Sequence, residues 1–142
     1  MDSSKQPGIN VGGIMLVSEK FNREPDIPDT VINDIKFNIN FNKPNNDEDF
    51  NVTITVVLIG LCEGKEIYIL ECTFVGIFNY IKGEENINLD DFVKYNAPAI
   101  MFPYIREHIS SITQKSGMQP VYLAPINLVA VLSENKKDKE NE

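Results

Sequence analysis

The 142-residue chain contains no tryptophan, one histidine and two cysteines. One histidine, His108, cannot build a metal site unaided, and a nucleophilic triad around it would need a Ser or Cys that no motif supplies. The two cysteines, Cys62 and Cys72, match no metal-ligand spacing. A hairpin turning at Glu63-Gly64-Lys65 sets Cys62 beside the turn and Cys72 well along the return strand, about 20 Å away and beyond disulfide reach. Both are read as small core hydrophobes. Long apolar runs are also missing. The longest, Val56 to Leu61, falls far short of the roughly 20 residues of a membrane span, so no direct membrane insertion is expected. The first eight residues lack the apolar stretch of a secretion signal, and a cytoplasmic protein is the expectation. Positive charge is scarce as well: 13 Lys and Arg face 21 Asp and Glu, for a net charge of −8. That balance argues against nucleic-acid partners, whose affinity rests on phosphate neutralisation, and against anionic lipid surfaces.

What the chain does have is the apolar content and length of one ordinary domain. Residues 1–12 read as a flexible tail, 13–133 as a single domain, and 134–142, of mixed charge with no apolar residue, as a solvated C-terminal tail. Four segments read as strands. Ile14 to Phe21 is an apolar run that turns polar. Lys36 to Asn42 alternates strictly, with Phe37, Ile39 and Phe41 on one face. Asn51 to Leu61 is rich in Val, Ile and Thr, and Glu66 to Tyr80 is long and nearly uncharged. Short turns make the last three antiparallel neighbours, whereas the longer link after the first, carrying Pro25 and Pro28, can cross over the sheet. The fourth strand is apolar on both faces, which predicts helices on one face and a partner or ligand on part of the other; a fully internal strand of a larger sheet is the alternative.

The period then changes. Asn88 to Tyr95 can form a short helix. Asn96 is a candidate N-cap and Pro98 suits the first turn of a longer helix that runs to about Lys115 and closes at Gly117. Ile105, Ile109 and Ile112 form its buried stripe. Pro103 must bend this helix or start another. Val121 to Leu132 predicts a short extension and a last helix. Strands followed by helices give an α+β fold, a four-stranded antiparallel sheet packed on helices.

No catalytic constellation emerges. Gly12-Gly13 precedes a strand and is no phosphate loop. Glu84-Glu85 and Asp90-Asp91 read as surface carboxylates, and Asp47-Glu48-Asp49 lacks calcium-loop spacing. Aromatic residues stand out instead. Phe74, Phe78, Tyr80, Phe92, Tyr95, Phe102 and Tyr104 crowd the junction of the fourth strand and the helices, as core or as the lining of an apolar groove.

Three blocks then occur in order: Glu71-Cys72-Thr73-Phe74-Val75-Gly76-Ile77-Phe78, Ala97-Pro98-Ala99-Ile100-Met101-Phe102-Pro103-Tyr104-Ile105-Arg106-Glu107, and Leu123-Ala124-Pro125-Ile126-Asn127. Together they resemble SecB, the bacterial protein-export chaperone family, over about Ile14 to Leu132. The resemblance implies a SecB-like homotetramer, a dimer of dimers, with no enzymatic activity, no cofactor and no ATP site. It implies a holdase that binds unfolded pre-proteins in long grooves between a helix and the crossover loop, and that docks on the SecA motor ATPase through acidic sheet surface. Carried onto this sequence, the groove takes Phe21, Ile27, Val31 and Ile32 from the loop side and Phe102 and Tyr104 from the helix. The SecA surface takes Glu71 and Ile69. The family's other acidic positions hold Ser18 and Asn22 here, with Glu19 and Glu24 beside them. Leu70, Cys72 and Phe74 are assigned to the dimer–dimer contact. A tryptophan common in the family after the loop is replaced by Val31 or Ile32, and the C-terminal tail lacks cysteine and aromatic residues.

Within that class, a chaperone dedicated to one client, such as a labile antitoxin, stays open. Outside it stand an enzyme with an apolar pocket, for which Glu71 and His108 are the candidate groups, and a non-catalytic structural or adaptor module.

Overall fold

The computed structural model describes residues 9–42, 49–80 and 91–124, and only the backbone of Tyr80. The expected turn at 43–48, the residues from Ile81 to Asp90, the proposed last helix from Pro125 onward and both outer tails lie outside the described residues.

Four strands, β1 (Ile9–Arg23), β2 (Ile32–Asn42), β3 (Asp49–Cys62) and β4 (Lys65–Tyr80), form one antiparallel sheet in the order β1-β4-β3-β2. The link from β1 to β2 therefore does cross the sheet, carrying the chain from one edge to the other. β1 starts at Ile9, so part of the stretch read as a tail is strand paired with β4. β2 likewise begins before its alternating segment.

The alternation in β3 is complete: Phe50, Val52, Ile54, Val56 and Leu58 are buried, and the residues between them are half-buried. The β3–β4 hairpin closes on Glu63 and Gly64, with φ of 51° and 78°. Two successive positive φ values give the turn whose twist matches the strands. Gly60 lies under the Tyr68 ring, where a Cβ would stand 2.0 Å from the ring edge.

One α-helix, α1 (Ala97–Lys115), packs on β4 and β3. A wider turn, Phe92–Asn96, leads straight into it, with the Ala97 N–H donating to the Phe92 carbonyl. Asn96 is helical (φ −80°, ψ −46°) and makes no capping bond, contrary to the expectation, because the helical path already runs through it. Pro98 cannot donate and would crowd the carbonyl four residues back, and a widened turn eases both conflicts. Pro103 sits inside an unbroken helix. The buried stripe is Met101, Phe102, Ile105, Ile109 and Thr113, while Ile112 is half-buried. The helix ends as Gly117 predicts. Gly117 (φ 83°) donates to the Gln114 carbonyl and Met118 to that of Thr113, at 3.0 and 3.2 Å. This paired closure satisfies carbonyls that otherwise lose their partners.

Aromatic packing fixes the start of the helical segment: Phe92 meets Phe50 and Phe78 edge-on at 6.0 and 5.3 Å, and those two stack at 5.4 Å. Gly76 lets the helix come close, since a Cβ there would lie 2.9 Å from Met101 Sδ.

Candidate functional site

Three surfaces hold the residues singled out by the sequence. The first is the β1 edge beside α1. Two bulges, between Val11 and Gly13 and between Leu16 and Ser18, leave Gly12 and Val17 without partners on β4. Val11, Met15, Leu16 and Val17 are 40–53% exposed, an unusual apolar load for an edge strand. Leu16, Phe74, Pro103, Tyr104, Glu107 and His108 enclose an open cavity of about 300 Å³. His108 Nε2 lies 2.9 Å from Glu19 Oε1, and its ring meets Phe74 edge-on at 5.6 Å. Beneath them Cys72 is fully buried, and burial first, then the Glu19 and Glu71 carboxylates, pushes its thiol up to about 12. Such a thiol stays protonated and unreactive at neutral pH.

The second surface is the sheet face turned away from α1. Glu71 is exposed and Ile69 half-buried there, among Val57, Ile59, Val75 and Ile77. Glu19 does not join them. The bulge at Val17 shifts the alternation by one, so Glu19, opposite buried Cys72, reaches His108 on the helix side. The proposed acidic docking set is thus divided between two faces, with Glu24 exposed just past the end of β1. The same geometry separates Glu71 from His108, so they form no catalytic pair.

The third surface is the crossover link and the β2 edge. Phe21, Leu70, Leu58 and Ile35 make one row across the sheet. Phe21 and β2 stand at opposite ends of that row, roughly 14 Å apart at ordinary strand spacing. Val31 packs on the core, Ile27 is half-buried and Ile32 is 74% exposed on the opposite face from Ile35. Phe102 is buried, and Tyr104 is exposed about 16 Å along the helix from its C-terminal end. The six groove residues are therefore not gathered into one groove among the described residues. Leu70, Cys72 and Phe74, expected between dimers, are 0%, 0% and 5% exposed within the chain itself. They belong to the chain's own core, Phe74 against His108 of α1, which leaves them nothing to offer a partner.

Sequence reasoning missed the shelf on β2. Ile35, Phe37 and Ile39 are half-buried on the helix side and Phe41 is 41% exposed, beside an outer edge with no partner among the described residues. β2 pairs with β3 through eleven consecutive residues without a bulge. Its strict alternation was the available signal. Among the described residues no three His, Cys, Asp or Glu side chains converge as a metal site, and no helix is long and apolar enough to cross a membrane.

Comparison with known proteins places this geometry. A family model described as "SecB: Preprotein translocase subunit SecB" matches residues 18–139. Protein-export protein SecB of Xanthomonas euvesicatoria is 30% identical over 147 residues, covering 99% of this chain and 85% of the relative. That of Orientia tsutsugamushi is 32% identical over 103 residues, covering 70% and 62%. Among solved structures, the Mycobacterium tuberculosis Rv1957 SecB-like chaperone, in complex with a ChAD peptide from the Rv1956 HigA1 antitoxin, superposes with a TM-score of 0.67 at 19% identity, covering 82% of this chain and 86% of that one. A Streptococcus agalactiae protein of unknown function has a TM-score of 0.52 at 10% identity, with 82% and 96% covered.

Proposed function

The chain belongs to the SecB family, and from that membership we propose that it is an ATP-independent chaperone holding unfolded pre-proteins competent for Sec-dependent export. The observation that carries the reading is the apolar shelf Ile35, Phe37, Ile39 and Phe41 next to the outer edge of a bulge-free strand. An extended client segment gains main-chain hydrogen bonds at such an edge whatever its sequence. Every second side chain then falls on apolar surface, and burial is non-directional, so many clients fit. Val31 extends the shelf toward the crossover link, while Phe21, Ile27, Ile32 and Tyr104 offer separate apolar contacts to a long client that wraps the molecule.

A homotetramer, a dimer of dimers, is part of the proposal, with the apolar β1 edge and Tyr104 as the contact surface in place of Leu70, Cys72 and Phe74. Four copies raise the effective concentration of binding surface along one client. Docking on the SecA motor ATPase is assigned to Ile69 and Glu71, with Glu24 at the end of β1. Glu19, held by His108, is left out.

Calorimetric titration of an unfolded export-type protein, with its folded form as control, tests the reading. Capture of the unfolded form alone, with Kd of about 1 μM or tighter, is expected. Equal binding of both forms, or of neither, refutes a general holdase. A second reading, a chaperone dedicated to one client, is favoured by the peptide-bound SecB-like neighbour. It predicts that one client in a panel of unfolded chains binds and the others do not.

A further inference from the structure

Arg23 ends β1 where the crossover link begins, and its guanidinium reaches three carbonyls in two segments of the chain. Nη2 donates to the Pro25 carbonyl at 2.9 Å, Nε to the Glu24 carbonyl at 3.0 Å, and Nη1 to the Ser116 carbonyl at the end of α1. Gly117 lies beside it, where a Cβ would stand in ordinary contact, 3.7 Å from Nη1. Among the described residues, the other hydrogen bond holding the link is Glu24 N–H to the Ile67 carbonyl, 2.8 Å. Beyond Pro25, among the described residues, the link is held by packing, with Val31 against the core. A planar fork of donors suits this task better than an ammonium, because its geometry fixes several acceptors at once. A cation also complements the negative end of the helix.

We infer that Arg23 is a positioning residue for client binding: it clamps the crossover link to the C-terminal end of α1, and release of the clamp frees the link so that a client can enter. The proposal rests on the chaperone reading for its second half only. A client segment lying along the link competes for the same space as the clamped backbone at 24 and 25. When the clamp opens, the Ser116 carbonyl loses its partner and the helix closure at Gly117 and Met118 loosens with it. Loop and helix end therefore open as one unit.

Residue-resolved amide exchange on the full-length protein without client tests the clamp. In Arg23→Gln, and equally in Arg23→Lys, which keeps the charge but loses the fork, exchange at Glu24, Gly117 and Met118 should quicken together by about tenfold or more. The Leu70 amide in the central strand should stay unchanged, which a general loss of stability would not allow. Acceleration at Glu24 without Gly117 and Met118, or uniform acceleration including Leu70, overturns the clamp. Stopped-flow association of an unfolded export-type protein tests the second half: the rate constant should rise in both variants, and an unchanged one overturns gating. If the wild-type protein captures no unfolded chain, the gating half falls with the chaperone reading, while the exchange data still decide the clamp.

Discussion

Thr113 offers the cleanest perturbation in the molecule. Its side chain is fully enclosed, and its hydroxyl serves two ends. Oγ1 donates to the Ile109 carbonyl at 2.8 Å and accepts from the Val121 N–H at 2.9 Å. Thr113→Val keeps the shape and removes the hydroxyl. The Ile109 carbonyl keeps its helical partner, so that side of the change is cheap. The Val121 N–H has no substitute, and a donor stripped of its partner costs about 1–3 kcal/mol. Val121 is half-buried, which lets some water in and sets the expectation at the low end, about 1–2 kcal/mol. For a chain of this size that lowers Tm by about 3–8 °C. Urea denaturation gives the free energy, and exchange at the Val121 amide locates it. Thr113→Ser, which keeps the oxygen, should protect that amide nearly as well as the wild type. An unchanged Val121 amide in Thr113→Val refutes the reasoning whatever happens to Tm.

Three further outcomes follow from features already described. Cys72 carries a thiol raised from 9.0 to about 12, so the neutral form is the one the fold prefers. The stability this gives is fully present below pH 9.0 and is lost as pH rises toward about 12, because the unfolded chain sheds the proton first; alkaline unfolding of Cys72→Ala should lack that component. Val17, 53% exposed on the β1 edge, supplies apolar contact in the proposed assembly, and Val17→Asp should shift sedimentation to smaller species with unchanged circular dichroism. A Cβ at Gly76 would lie 2.8 Å from the Phe78 ring and 2.9 Å from Met101 Sδ, so Gly76→Ala should cost about 1–3 kcal/mol in urea, and adding Met101→Ala should not cost its usual full increment on top.

The strands and the hairpin were legible because their signals are local. The alternation of Phe37, Ile39 and Phe41 and the Glu63-Gly64 turn declare themselves within a few residues. The surfaces were not, because they depend on register. From Ile14, simple alternation groups Leu16 with Ser18 and Lys20 on one face. The unpaired Val17 breaks that count, and Glu19, Phe21 and Arg23 fall on the helix side instead. One extra residue thereby removed Glu19 from the acidic docking set. Phe102 and Leu70 were misread for a different cause: core, groove and interface use the same residue types, and only the placement of α1 tells them apart. Arg23 left no signal in sequence, since its acceptors are backbone carbonyls that any residue supplies.

The crossing link also governs when the molecule can become whole. β2, β3 and β4 are successive neighbours, and each can pair as soon as its hairpin leaves the ribosome. β1 is made first and paired last, for Arg23 waits for Tyr68 and Ile9 for Tyr80. Closing so long a loop is slow compared with closing a hairpin. The most apolar edge of the fold therefore travels through synthesis uncovered, and stalled chains ending before Tyr68 should be cut readily within β1 by a protease that spares the finished protein. A protein proposed to shield the unfinished chains of others must first get through that interval itself.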